Sequence, residues 1–356
     1  MRRIAKMPLW AESRIHGDVY VRFGGRLSET YHRKVAWRRQ PSLPWITALL
    51  IALTPFLLSS DIFHNKKEEK EEIMEYSCIP VPDSIEFCGT KIDLTRYDRR
   101  ERMDRELMAF TYMHSTSLQI IKRANRYFPI VEPILKKNGI PDDFKYLMVI
   151  ESNLNPQARS HAGAAGLWQF MPGTAREFNL EVNNHVDERY HVEKSTQAAC
   201  KYLKQAYARF GNWESVAASY NAGQGRISKQ MDSQYADNAL DLQLVEETAR
   251  YVYRILAAKM MLTNPKQFGF RLKSSDLYPI IPYRNITVEE SIDDLARFAK
   301  GQGINYALLR NMNPWLRSSS LPNHGKKKYI LAIPDKEKMH YNPKVTIPYN
   351  RNWVTE

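Results

Sequence analysis

From Ser42 to Ser60 the chain carries no charged residue, although 26% of its residues overall are charged. A helix needs roughly 20 apolar residues to span a bilayer, and the core of a secretory signal needs about 7–15. This segment lies between the two, and Pro44 and Pro55 shorten its longest helical run. Arg33, Lys34, Arg38 and Arg39 precede it, which places the N-terminal side in the cytoplasm by the positive-inside rule. The charged run from Lys66 to Glu72 comes next and is then translocated. No small-x-small cleavage site stands out after Leu58, so an uncleaved signal anchor at 43–60 is favoured over a cleaved signal peptide. A buried core helix is the weaker third reading, because its flanks would then have no purpose.

The same segment explains the net charge of +13. Residues 1–42 hold ten Lys/Arg and three Asp/Glu, a net of +7, and the other +6 is spread over 61–356. A basic face that reads nucleic acid concentrates its charge on a folded surface. Here more than half of it forms a leader before an apolar stretch, so no nucleic-acid partner is expected. With 43% hydrophobic residues over 356 positions, the remainder can bury a core and form two or three domains. Cys78 and Cys88 could pair across a short loop, but three small, mostly buried side chains with Cys200 is the preferred reading. No Cys/His cluster has metal spacing, and no cofactor is expected.

Beyond the basic leader (1–42) and the apolar segment (43–60), residues 61–90 read as a charged linker and a proline-containing loop. Residues 91–280 read as predominantly helical. Asp98–Tyr127 lacks Pro and Gly, and Pro129, Pro133 and Gly139-Ile-Pro141 punctuate the stretch after it. Ala199, Tyr202, Leu203, Ala206 and Phe210 fall on one helical stripe. Asn212–Gly223 reads as a short helix closed by its glycine, and Glu246–Leu262 as another striped helix. The composition then changes. A β-prone run from Tyr283 to Val288, a capped helix at Ser291–Lys300, a second at Asn305–Met312 and a strand at Tyr329–Pro334 predict a small, separate βααβ module over 284–335. The tail, 336–356, shows no clear period.

The most informative helix is Pro141–Pro156. Pro141, Asp142 and Asp143 suit a first turn, and Phe144, Leu147 and Met148 mark an apolar face. The next position of that stripe is Glu151, where a helix this apolar should carry a hydrophobe. Burial and the negative end of the helix dipole both favour the protonated acid, the form a general acid requires. A buried glutamate paired with an Arg or Tyr fits this helix equally well. The segment Gly163–Thr174 adds glycines that permit close backbone approach, and an amide, Gln169, among Trp168, Phe170 and Met171. Apolar walls with a few polar groups suit a sugar site, though a packed loop has the same composition.

Glu151-Ser152, Gly166-Leu-Trp-Gln-Phe-Met-Pro172, Ala218-Ser-Tyr-Asn-Ala-Gly223 and Glu247-Thr-Ala-Arg-Tyr251, in this order and spacing, resemble the lytic murein transglycosylases of glycoside hydrolase family 23. The membrane-bound type D group is the most similar. The resemblance covers roughly residues 125–265 and implies a mainly α, lysozyme-like (goose-type, SLT) catalytic domain. It implies that Glu151 is the single acid/base. That residue would cleave the β-1,4 bond between N-acetylmuramic acid and N-acetylglucosamine in peptidoglycan and leave 1,6-anhydro ends. Ser160, Gln169, Met171, Tyr220, Asn221 and Tyr251 match substrate-contacting positions, with the Tyr220 hydroxyl expected close to the acid. Trp168 stands where the family more often has Met, which is expected to alter the shape of the groove. Residues 284–335 resemble a degenerate LysM module, with Glu289-Glu290 in place of the usual Gly-Asp turn. The expected partners are peptidoglycan strands and, through 43–60, a membrane, with the enzyme in the periplasm or cell envelope. A goose-type hydrolase that uses Asp187 to place a water, and an inactive wall-binding scaffold, are the alternatives.

Overall fold

The computed structural model describes residues 77–355 apart from 341, 343 and 345. The leader, the apolar segment and most of the charged linker lie outside the described residues. No helix among those described is long and apolar enough to cross a membrane.

Regular structure begins earlier than expected. Ser84–Phe87 (β1) and Thr90–Asp93 (β2) pair as an antiparallel hairpin, in place of the proline-containing loop and the start of the helical part. Cys88 and Gly89 both have positive φ, as a two-residue turn of matching twist requires. Cys88 N donates to Asp143 Oδ2 at 2.7 Å, which anchors the turn. All three cysteines are free, with Cys78 exposed, Cys88 half-buried and Cys200 buried, so only Cys200 is the enclosed small side chain expected of all three.

Eight helices come next: Tyr97–Tyr112 (α1), His114–Lys137 (α2), Phe144–Ser152 (α3), Pro172–Glu177 (α4), Val192–Phe210 (α5), Trp213–Ala222 (α6), Gln224–Gln234 (α7) and Glu246–Thr263 (α8). Pro129 and Pro133, read as punctuating the stretch after Tyr127, both lie inside α2. A proline in a helix interior costs about 3 kcal/mol. The buried stripe of Ile120, Ile121, Ala124, Phe128, Val131 and Leu135 outweighs this, and the two prolines share the less buried face.

Helix α3 is the centrepiece. All nine of its residues are buried, so the expected one-sided stripe is a helix enclosed all round. Lys145 tolerates this because its ammonium meets Glu132 and Asp142, each at 2.5 Å, over the faces of Phe128 and Tyr146. Asn153 ends the helix in the left-handed conformation, with its N–H bonded to the Val149 carbonyl at 2.8 Å. α8 packs along α3, α1 and α6. Asn212 caps α6 through the Ser215 N–H, and Gly223, at φ 88°, closes it.

The module consists of Tyr283–Val288 (β3), Leu295–Gly301 (α9), Tyr306–Met312 (α10) and Tyr329–Pro334 (β4), with β3 and β4 antiparallel. The fold is thus mainly α, with one small two-stranded module. That module packs on the helical part: its apolar core also holds Ala165, Val186 and Tyr190 from there. The tail also returns to the helices. Trp353 is 1% exposed, donates to the Leu262 carbonyl at 2.6 Å and stacks edge-on against Phe128.

Candidate active site

Glu151 occupies the last turn of α3 and is 6% exposed. Its Oε1 accepts a 2.5 Å hydrogen bond from the hydroxyl of Tyr251, on α8. Tyr251 is wholly buried. That burial pushes its phenol well above the ordinary range, and the neighbouring Glu151 and Tyr220 push it further. The phenol therefore remains a donor at neutral pH. Ser152 serves the helix end, donating from Oγ to the Met148 carbonyl at 3.1 Å.

The loop after α3 folds back on itself. Gly166 N bonds to Ala158 O at 2.9 Å, and Ala165 N to Phe170 O at 3.1 Å. Gln169 holds a positive φ, and its amide nitrogen donates to the carbonyls of Gly166 (2.8 Å) and Ala158 (3.2 Å). Gln169 is thus a brace of the loop as well as part of its surface. Ser160 is buried, and its Oγ accepts from Ala164 N at 3.0 Å. Gln169, Met171 and Tyr220 meet, with Phe170, Thr174, Tyr202 and Gly223, around a cavity of about 100 Å³. The Tyr220 hydroxyl, expected beside the acid, donates to the Trp168 carbonyl at 2.8 Å. Asn221 joins α6 to α8 by accepting from Thr248 Oγ1 at 2.9 Å.

The expected residues therefore fall into two groups. Glu151 and Tyr251 form a buried acid–phenol pair with Tyr220 near enough to act on that phenol, and Gln169, Met171 and the same Tyr220 line a small cavity. Ser160 and Asn221 do not line this cavity. Trp168 does not shape the groove with its ring. The indole is wholly buried and donates to Thr196 Oγ1 on α5 at 2.9 Å.

No sequence pattern pointed to Arg189. Its guanidinium grips both oxygens of Asp187, at 2.9 and 2.7 Å, and donates to the carbonyls of Gly163 (2.6 Å) and Phe170 (3.0 Å). A residue that clamps the ends of a glycine-rich loop from 19–26 positions away leaves no local signal. Its backbone also explains one glycine. A Cβ on Gly166, at φ 79°, would lie 1.9 Å from the Arg189 carbonyl oxygen.

A larger cavity of about 420 Å³ opens between the helical part and the module, walled by Tyr127, His191, Tyr283 and Trp315 among others. Glu151, Tyr251, Ser160 and Asn221 do not line it, so its size does not make it the place of the chemistry.

Residues 129–243 match the family model of the transglycosylase SLT domain, and 284–337 that of the soluble lytic transglycosylase C-terminal LysM-like domain. The chain is 31% identical over 257 residues to membrane-bound lytic murein transglycosylase D of Escherichia coli K12, covering 70% of this chain and 55% of that protein. It is 38% identical over 90 residues to the soluble lytic murein transglycosylase of Salmonella typhimurium LT2, covering 23% of this chain and 14% of that one. The chain thus spans about half the length of the type D relative and a smaller part of the soluble one. Among solved structures, the 70 kDa soluble lytic transglycosylase of Escherichia coli aligns with a TM-score of 0.32 and 26% identity, over 37% of this chain and 23% of that one.

Proposed function

Since the chain is a lytic transglycosylase family protein with an SLT domain and a LysM-like C-terminal module, related to the type D enzymes, we propose that it cleaves peptidoglycan glycan strands without consuming water. The bond is the β-1,4 link from N-acetylmuramic acid to N-acetylglucosamine, and the product end is 1,6-anhydro-N-acetylmuramic acid. The observation that carries this reading is the buried Glu151 carboxyl with the Tyr251 phenol against it.

Protonated Glu151 donates its proton to the glycosidic oxygen as the C1–O bond breaks. The resulting carboxylate takes the proton of the muramic 6-hydroxyl, whose oxygen closes on C1. The acid is regenerated and no atom is left over. One carboxyl serves both steps because the nucleophile is tethered to the electrophile, whereas most glycosidases divide the work between two. Burial and the helix end favour the acid form needed first. The Tyr251 hydrogen bond stabilises the carboxylate formed between the steps. Gln169, Met171 and Tyr220 hold the strand, with Ser160 and Asn221 supporting that wall, and the LysM-like module adds hold on the glycan. Residues 43–60 anchor the protein, which acts in the periplasm or cell envelope.

The hydrolytic alternative needs an acid to position water. The two oxygens of Asp187, the candidate for that role, are both engaged by Arg189, which supports the water-free reading. Mass spectrometry of fragments from purified murein sacculi tests it. The wild type should yield fragment ends lighter by one water than hydrolysed ends, and folded Glu151→Gln should yield none. Hydrolysed ends alone, or equal activity of the two proteins, would overturn the proposal.

A further inference from the structure

The module meets the helical part through the backbone as well as through side chains. Val186 and Leu316 form an antiparallel bridge, flanked by Asp187 N to Trp315 O at 2.8 Å and Arg317 N to His185 O at 2.7 Å. Glu181 accepts from the Tyr329 hydroxyl at 3.0 and 3.1 Å and pairs with Lys327. The Arg317 guanidinium lies 4.3 Å above the Tyr190 ring, and Trp315 stacks between His191 and Tyr329.

Two routes lead from this seam to the candidate groove. The first runs through Asp187. Its backbone N–H is held by the module, its carboxylate by Arg189, and Arg189 in turn holds the carbonyls of Gly163 and Phe170. The second is shorter. Ala165 is wholly buried in the module's core, while its N–H is bonded to the carbonyl of Phe170, the residue between Gln169 and Met171.

From these contacts we infer that the module positions the groove wall, Ala158–Met171, by clamping its back. It is a positioning element for the reaction and not only a tether to the glycan. The groove wall consequently loosens when the seam is weakened, and turnover falls even on a glycan too short to reach the module. The turnover arm of this inference rests on the proposed function, and the exchange arm does not.

The test uses the full chain carrying Leu316→Ala. Leu316 is wholly buried at the bridge, and a milder variant, Glu181→Gln, guards against loss of folding. Leu309→Ala, a wholly buried position on α10 away from the bridge, is the control for general weakening of the module. Hydrogen exchange at the Ala165 and Gly166 amides should speed up by about tenfold or more in Leu316→Ala, and by less in Glu181→Gln. It should change little in Leu309→Ala. Turnover of a soluble tetrasaccharide of alternating N-acetylglucosamine and N-acetylmuramic acid should fall in kcat more than it changes in KM. If exchange at 163–171 stays at the wild-type rate in both seam variants while the module's own amides open, the module is passive and the inference fails. If wild type shows no turnover, the functional reading fails while the exchange result still decides the clamp.

Discussion

Glu151 and Asp187 are both buried acids, each 6% exposed, yet they are held by opposite kinds of partner. Asp187 meets a guanidinium through two parallel bonds, and that cation persists at any working pH. Among its contacts, Glu151 accepts a bond from a phenol, Tyr251. A neutral donor can bond to a carboxylate and equally to the carbonyl oxygen of the neutral acid, so the partner does not forbid a change of charge. Burial alone therefore does not separate a reacting acid from a structural one, but the chemistry of the donor does. Glu106, 1% exposed and paired with Arg250, belongs with Asp187.

The comparison breaks most readily on stability. Asp187→Asn leaves a buried guanidinium without its anion, which costs about 3–5 kcal/mol. Glu151→Gln keeps an oxygen to accept from Tyr251 and should change stability by less than about 1 kcal/mol. Active-site acids often lower stability, so a small gain would also fit. Denaturant unfolding of both variants measures the two numbers. Equal large losses would make Glu151 another structural acid.

Next in size is the glycine facing Arg189. In Gly166→Ala the new Cβ meets a backbone oxygen at 1.9 Å, in a conformation that L residues rarely adopt. The loop or the turn that holds Arg189 must shift, at a cost of about 3 kcal/mol. Gly173, in α4, has open space around its missing Cβ and no positive φ, so Gly173→Ala should be neutral or stabilise by up to about 1 kcal/mol. A melting comparison of the pair separates close approach from a general need for glycine in this segment.

How much of the molecule could be read from its residues depends on how far each interaction reaches. Helices α5, α6 and α8 were legible because a stripe or a terminal glycine lies within a few positions. Glu151 was legible as an outlier on its own stripe. The hairpin at 84–93 was not, because its turn carries Cys88 where Asn, Asp or Gly gives the usual signal. Pro129 and Pro133 misled because their cost is local and the packing that overrides it is not. Trp353 lies 91 residues from its acceptor, Tyr251 lies 100 from Glu151, and Arg189 acts across 19–26 positions. Of these three, only Tyr251 was found, by family resemblance and not by any local pattern.

The finest test concerns the phenol itself. Tyr251 keeps its proton at and somewhat above neutral pH, because burial and then Glu151 raise its pKa well above the ordinary value. Throughout that range it stabilises the Glu151 carboxylate more than the neutral acid, since a bond to a charged acceptor is the stronger one. Its effect is thus to make Glu151 easier to deprotonate, against the opposing effect of burial. Tyr251→Phe removes that bond, so the proton of Glu151 should be lost at higher pH than in the wild type. If Glu151 must be protonated to begin the reaction, the alkaline limb of kcat/KM moves upward. The maximal rate should fall by about ten- to a hundredfold, because the carboxylate formed between the two proton transfers loses a bond worth about 1.5–3 kcal/mol. A lower rate with an unmoved limb would make Tyr251 a packing residue, and would leave the contrast between the two acids without its chemical basis.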